Sequence, residues 1–226
     1  MSAEPGTVRP GGRTARVRAA VLRAAGDVLA EQGFAHLDLA DVARRAEVGK
    51  TTVYRRWGSV TGLVADLLGD MAEHSLPRAD TGSALGDLRA NAALVRRTLA
   101  DARQGPLFRA VIAAATSDAR TAQALRRFYD VRVGEWAPCV EQAVARGELP
   151  AGTDPSLVVR AVSAPLYYTV LTTGVVPDEA AADRAAEAAF AAAVSGVYVV
   201  GDRPAAPVEV QDRGRTELPP VPPRPR

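Results

Sequence analysis

The chain has one cysteine, Cys139, and two histidines, His36 and His74, which lie 38 residues apart. That excludes a disulfide framework and a Cys/His zinc cluster. Cys139 has neither histidine at motif spacing, so it reads as a small buried hydrophobe and not as a nucleophile. No Ser/His/Asp grouping, paired-carboxylate motif or metal-ligand spacing is present, so the expectation is a protein that binds and switches, with no catalysis, cofactor or metal. Aromatic residues make up 5% of the chain and β-branched runs are short, which disfavours an all-β fold. Long apolar runs are missing too. The uncharged stretch Ala161–Pro177 contains Pro165, Ser163, three threonines and two tyrosines. A membrane helix needs roughly 20 predominantly apolar residues, so this stretch reads as a buried helix. Residues 1–16 lack the apolar core of a secretory signal, and the expected location is the cytoplasm, with no membrane partner.

Lysine is almost absent: 27 of the 28 basic residues are arginine, and the exception is Lys50. Alanine is abundant, with 45 of 226 residues, and favours helix because it loses no side-chain entropy there. The net charge of +2 is unevenly spread. Residues 1–60 hold ten basic against six acidic residues, and residues 61–226 hold eighteen against twenty. The N-terminal quarter is therefore the part suited to a polyanion.

Residues 1–12, rich in Gly and Pro, read as a disordered arm, and residues 201–226, with seven of the sixteen prolines, as a disordered polyproline-like tail. Between them every segment has helical periodicity. Val17, Val21, Ala24, Ala25, Val28 and Leu29 mark one face of a helix beginning near Thr14 and closed by Gly33, with Phe34 folding back. Asp38 can cap a short second helix, and Asp41, three residues on, completes the pattern of a capping box. A third helix spans about Lys50–Trp57. Ser59 can cap a fourth, which carries Leu63, Val64, Leu67, Leu68 and Met71. Leu76–Gly82 is the best interior boundary, dividing an N-terminal unit (13–75) from a C-terminal one (76–200). Further helices are expected near 83–103, 106–116, 118–146, 154–174 and 178–198, with Pro138 kinking or dividing the third of these.

Two short helices around a Gly-containing turn, residues 38–57, suit a helix-turn-helix. At about 100° per residue, Val53 and Trp57 fall on one side of the second helix, to pack against Val42, Ala43 and Val48. Thr51, Thr52 and Arg55 fall opposite, with Lys50, Tyr54 and Arg56 between. A small polar face can enter the major groove, where Arg pairs bidentately with guanine and Thr meets a hydroxyl partner or a thymine methyl. The flanking cations and the Tyr hydroxyl suit phosphates, which set position without reading sequence. A solvated helix surface would show the same residues, and periodicity alone does not separate the two readings. Gly49-Lys50-Thr51 also imitates the end of a P-loop, but the first glycine of that motif would fall at Arg44, within a helix, so nucleotide binding is rejected. Arg44 and Arg45 read equally well as DNA-backbone contacts or as a solvated pair.

Gly33-Phe34 followed by Asp38-x-x-Asp41-Val42-Ala43-x-x-Ala46-x-Val48-x-Lys50-x-Thr52-Val53-Tyr54-Arg55-x-Trp57 resembles the N-terminal domain of TetR-family transcriptional regulators. The match covers about residues 14–70 and combines turn, core and contact positions. Arg146-Gly147-Glu148-Leu149, Asp154-Pro155, Pro165-Leu166-Tyr167-Tyr168 and Thr173-Gly174 look, more weakly, like one subgroup of that family. The resemblance implies an all-α homodimer: a three-helix DNA-binding domain with Lys50, Thr51, Thr52, Tyr54, Arg55, Arg56 and Arg44 at double-stranded operator DNA, and a divergent helical domain that binds a small-molecule effector. Three positions depart from the family pattern: Gly49 stands for the common Ser, Trp57 for Phe, and Val60 for a Lys that often reaches phosphate.

In the C-terminal unit, Phe108, Ile112, Phe128, Tyr129, Trp136, Tyr167 and Tyr168 are the bulky groups available to line a pocket for a largely apolar effector. The family comparison also implies that the last two helices pair with their symmetry mates. Ala185, Ala189 and Ala193 would permit close approach there, and Phe190, Val194 and Val197 would supply anchors. The expected function is a ligand-responsive DNA-binding regulator, most simply a repressor. The competing reading is a protein–protein adaptor that keeps the fold without specific DNA binding.

Overall fold

The computed structural model describes residues 11–200, so the expected arm and tail lie almost wholly outside the described residues. The elements are helices α1 (Gly11–Gln32), α2 (Leu39–Arg45), α3 (Lys50–Trp57), α4 (Val60–Glu73), α5 (Ala84–Ala100), α6 (Gln104–Ala115), α7 (Ala119–Ala145), α8 (Pro155–Thr173) and α9 (Glu179–Val194). Among the described residues the only β-type pairing is a single bridge, Thr153 with Val199. The all-α expectation holds, with helix ends within a few residues of those read from periodicity.

Local chemistry sets most of the ends. Asp38, Ser59, Ser83, Asp118, Asp154 and Asp178 each accept hydrogen bonds from first-turn amides of α2, α4, α5, α7, α8 and α9. Such caps satisfy donors that the helix cannot use itself. Two local expectations are corrected. The capping box at α2 is only half made, because the Asp41 carboxylate turns to Arg44 and Arg45. Pro138 does not divide α7, which runs through it unbroken.

Packing forms two apolar clusters. One gathers Val21, Ala25, Val28 and Leu29 of α1 with Val42, Val53, Trp57, Leu63 and Leu67, and it also takes in Leu107, Phe108 and Val111 of α6 and Phe128 of α7. The other joins α5, the second half of α7, α8 and α9 through Leu88, Trp136, Val140, Val162, Leu166 and Ala186. The cores therefore do not part at residues 76–82. α6 and the start of α7 rest on the N-terminal helices, so a change inside the C-terminal bundle has a packed route to α1 and α4.

Candidate functional site

α2 and α3 are joined by Glu47-Val48-Gly49. Val48 N–H donates to Ala43 O at 2.9 Å, folding the turn back on α2. Glu47 has φ 54°, a left-handed conformation that a side chain resists and that sequence inspection did not flag. Val53 and Trp57 are buried, while Lys50, Thr51, Tyr54, Arg55 and Arg56 are exposed and Thr52 is half-buried. Thr52, Arg55 and Arg56 flank an open groove of 630 Å³ whose other wall is Arg13, Thr14 and Val17 of α1. One helix face is thus free along its length, and basic groups stand beside it.

The cations are not equivalent. Arg56 stacks over the Trp57 ring, 5.2 Å from its centroid. Arg44 is largely exposed but paired with Asp41, which also holds Arg45 at 3.0 Å. An exposed pair of this kind is worth about 0–1 kcal/mol, so a phosphate can take Arg44 at little cost. Ser59 Oγ accepts from Gly62 N at 3.1 Å and lies 3.0 Å from the Thr61 hydroxyl, so the start of α4 presents a cap where the family's Lys is replaced by Val60.

Behind α3 lies a polar hub that the sequence did not reveal. Asp66 of α4 accepts from the Trp57 indole N–H at 2.8 Å and from both Nε and Nη2 of Arg18 in α1, at 3.2 and 2.8 Å. Arg18 also reaches Asp70 at 2.5 Å. Burial opposes the ionisation of Asp66, but the bonds from Arg18 and Trp57 outweigh it and hold the carboxyl below the ordinary carboxylate range. Gly62 completes the joint. A Cβ there would stand 2.4 Å from the Trp57 carbonyl oxygen, so only glycine lets α4 approach the end of α3 this closely. The available signals were an Arg on the apolar face of α1, at three- and four-residue steps from Val21 and Leu22, and a core Trp whose N–H needed a partner.

The second feature is a cavity of about 80 Å³ enclosed by α5, α6, α7 and α8. Phe108, Phe128, Tyr129, Trp136 and Tyr167 line it. The aromatic rings form a chain: Phe108 to Phe128 at 5.2 Å, Phe128 to Tyr129 at 5.2 Å and Tyr129 to Tyr167 at 5.7 Å. Burial pushes both tyrosine hydroxyls well above their usual pKa, so they remain neutral phenols. A polar cavity of 330 Å³ adjoins it across Phe108, Phe128 and Arg132 and extends to Asp70 and His74 at the end of α4. Ile112 lies outside the inner cavity, in a surface groove of 580 Å³ that shares Tyr129 and Tyr167. Tyr168 needs correction. One residue on from Tyr167 it turns to the opposite side of α8 and is 70% exposed. Asn91, Thr98, Arg132 and Ser163 are polar lining residues that a search for bulky groups passed over.

The face of α9 is corrected too. Ala185, Ala189 and Ala193 are buried inside the chain, where α9 packs on α5 and α8, so they are not free for a partner. Phe190 is half-buried against the same core, and only Val194 and Val197 of that set are exposed. The outward apolar row lies on α8: Leu157, Ala164, Tyr168 and Leu171, with Val175 beyond the helix end. Cys139 is buried, and burial pushes its thiol up to about 11. Asp70, Glu73 and His74 bring three possible ligand atoms within 4.8 Å, but Asp70 is already engaged by Arg18. No helix among the described residues is long and apolar enough to cross a membrane.

Residues 21–67 match the family model for bacterial regulatory proteins of the tetR family, and residues 78–189 match that for the tetracyclin repressor-like C-terminal domain. The chain is 31% identical over 156 residues to the uncharacterized HTH-type transcriptional regulator YdeS of Bacillus subtilis, covering 69% of this chain and 78% of that protein. It is 32% identical over 162 residues to the DNA-binding transcriptional repressor TetR of Mycobacteroides abscessus, covering 71% and 85%. The crystal structure of the TetR family transcription regulator SCO0332 aligns with a TM-score of 0.64 at 29% identity, over 78% of this chain and 97% of that one.

Proposed function

The chain belongs to the TetR family of transcriptional regulators, and from that premise we propose that it is a cytoplasmic, non-enzymatic repressor. It binds a near-palindromic operator as a homodimer and releases it when a small, largely apolar effector fills the cavity between α5 and α8. The observation that carries this reading is α3 itself. Its core side is anchored through Val53 and Trp57, and its opposite side offers Thr51, Thr52 and Arg55 with cations on both flanks. Arg55 reads a base edge. Lys50, Tyr54, Arg56 and Arg44 hold phosphates.

The exposed row on α8 supports pairing of two chains. Leu157, Ala164, Tyr168 and Leu171 follow steps of seven, four and three, the spacing of a helix seam, and Val194 and Val197 continue the apolar surface after α9. A two-fold pairing would set two recognition helices roughly 34–36 Å apart, or a multiple of that, in successive major grooves. The effector must favour one separation over the other, because equal affinity for both states shifts nothing. An adaptor without DNA binding has no counterpart among the relatives, which are named as transcriptional regulators.

Selection of bound sequences from random DNA tests the reading: the expected product is a site with two inverted half-sites. Arg55→Ala should cost about 1–3 kcal/mol and relax preference at one position of each half-site. Arg56→Ala should weaken all sequences alike and flatten the salt dependence. Recovery of no preferred sequence, or an Arg55→Ala footprint identical to wild type, would refute the assignment of this face.

A further inference from the structure

Two buried polar atoms at the inner cavity have no hydrogen-bond partner among the described residues: Asn91 Oδ1, an acceptor on α5, and Trp136 Nε1, a donor on α7. Asn91 is 4% exposed and Trp136 2% exposed, so bulk water does not reach them freely. Leaving such groups unpaired costs stability, and a folded chain retains that cost where something else completes the bonds. Between them the walls are aromatic, with Phe108 and Phe128 offering ring faces and edges. The one charged group on the lining, Arg132, is engaged by Glu135 and the Ser75 hydroxyl, so the cavity offers no free positive charge for an anion.

Resting on the effector reading above, we propose that this cavity takes an uncharged aromatic molecule with a hydrogen-bond donor and a carbonyl-type acceptor. A hydroxyaryl ketone is the simplest example. The ring lies against Phe108 and Phe128, its hydroxyl donates to Asn91 Oδ1, and its carbonyl accepts from Trp136 Nε1. Larger members of the class extend into the adjoining 330 Å³ cavity past Arg132, toward Asp70 at the end of α4. The polar pair then sets which aromatic molecules bind, because a site that has buried a donor and an acceptor rejects analogues unable to satisfy them.

Calorimetric titration of the full-length protein with three probes decides the matter: 4-hydroxyacetophenone, its anionic relative 4-hydroxybenzoate, and apolar ethylbenzene. The expected result is binding of 4-hydroxyacetophenone at least about tenfold tighter than either of the others. Asn91→Leu should weaken that probe about tenfold, leave ethylbenzene unchanged and raise the melting temperature of the free protein, since it removes an unpaired buried acceptor. Trp136→Phe should show the same split between probes and serves if Asn91→Leu does not fold. Equal affinity for all three probes, a preference for 4-hydroxybenzoate, or variants that leave the order of probes unchanged would overturn the proposal. Operator binding is measured in parallel. A probe that binds as expected without altering operator affinity supports the cavity chemistry and removes the effector role. Loss of sequence-specific DNA binding with the probe pattern intact refutes only the regulator reading.

Discussion

Around the recognition helix, polar groups that leave water find partners: the Trp57 indole and the Arg18 guanidinium both end on Asp66, and the turn and caps use the nearby amides. In the C-terminal bundle the opposite holds. The described residues include four buried side-chain atoms without a partner, on Asp87 and Asn91 of α5 and on Thr121 and Trp136 of α7, and none lies in α1–α4. The bundle also carries the inner cavity and the exposed apolar row on α8, whereas the N-terminal helices offer only an open polar groove. One end is complete in itself and meets a rigid partner, DNA, with solvated side chains. The other end keeps unsatisfied polar and apolar surface, the condition for responding to molecules that supply what is missing.

The largest effect should come from filling the incomplete surface with charge. On the proposed pairing, Tyr168→Glu with Leu171→Glu places four carboxylates in one two-fold interface, each with a desolvation cost of several kcal/mol. Sedimentation should show a monomer at concentrations where wild type is dimeric, with melting temperature little changed because both side chains are exposed in the single chain. Unchanged dimerisation would move the interface away from α8.

Next in size is the hub at the complete end. Asp66→Ala leaves the Trp57 N–H and part of the Arg18 guanidinium unpaired in a half-buried setting, at a cost of about 2–3 kcal/mol in chemical denaturation. Asp66→Asn isolates the charge. Because the folded-state carboxyl lies below its ordinary range, its contribution is present above about pH 4 and fades as pH falls through the lower folded value. Wild type should therefore lose stability in that acid window more steeply than Asp66→Asn. Parallel acid profiles would show that the hub depends on hydrogen bonding alone.

The same division governs what could be read from the sequence. Helix spans, caps and the outward side of α3 follow from local rules, since periodicity and capping residues act within a few positions, and Lys50, Thr51, Tyr54, Arg55 and Arg56 are all exposed. Asp66 was missed because its bonds run to Trp57 and Arg18, in two other helices, and no local pattern fixes such a crossing. The alanines of α9 were placed on the wrong face for a related reason. In Glu179–Val194 nearly every non-charged position is Ala, so the side that packs on α5 cannot be told from the side facing out by hydrophobicity alone. On α8 the buried row Val158, Val162, Leu166 and Val170 and the exposed row Leu157, Ala164, Tyr168 and Leu171 are similarly close in character. A helix apolar on both sides signals two partners, one inside the chain and one outside it.

The smallest effect tests how complete the DNA-binding end is. Glu47 is the one described non-glycine residue with positive φ, and it sits at the turn that sets α3 against α2. A left-handed conformation costs about 1–2 kcal/mol for a residue with a Cβ, while glycine gives back roughly 0.5–1 kcal/mol through the freedom it gains when unfolded. Glu47→Gly should therefore stabilise the chain by about 0.5–1 kcal/mol in chemical denaturation. Glu47 also lines the groove beside Arg55 and Arg56, where its charge opposes a phosphate backbone. Glu47→Gln removes that charge and keeps the strain, so it should leave stability unchanged and strengthen non-specific DNA binding a few-fold at low salt, an advantage that fades as salt rises. If Gly and Gln stabilise equally, the cost at this turn is electrostatic and the backbone there is relaxed.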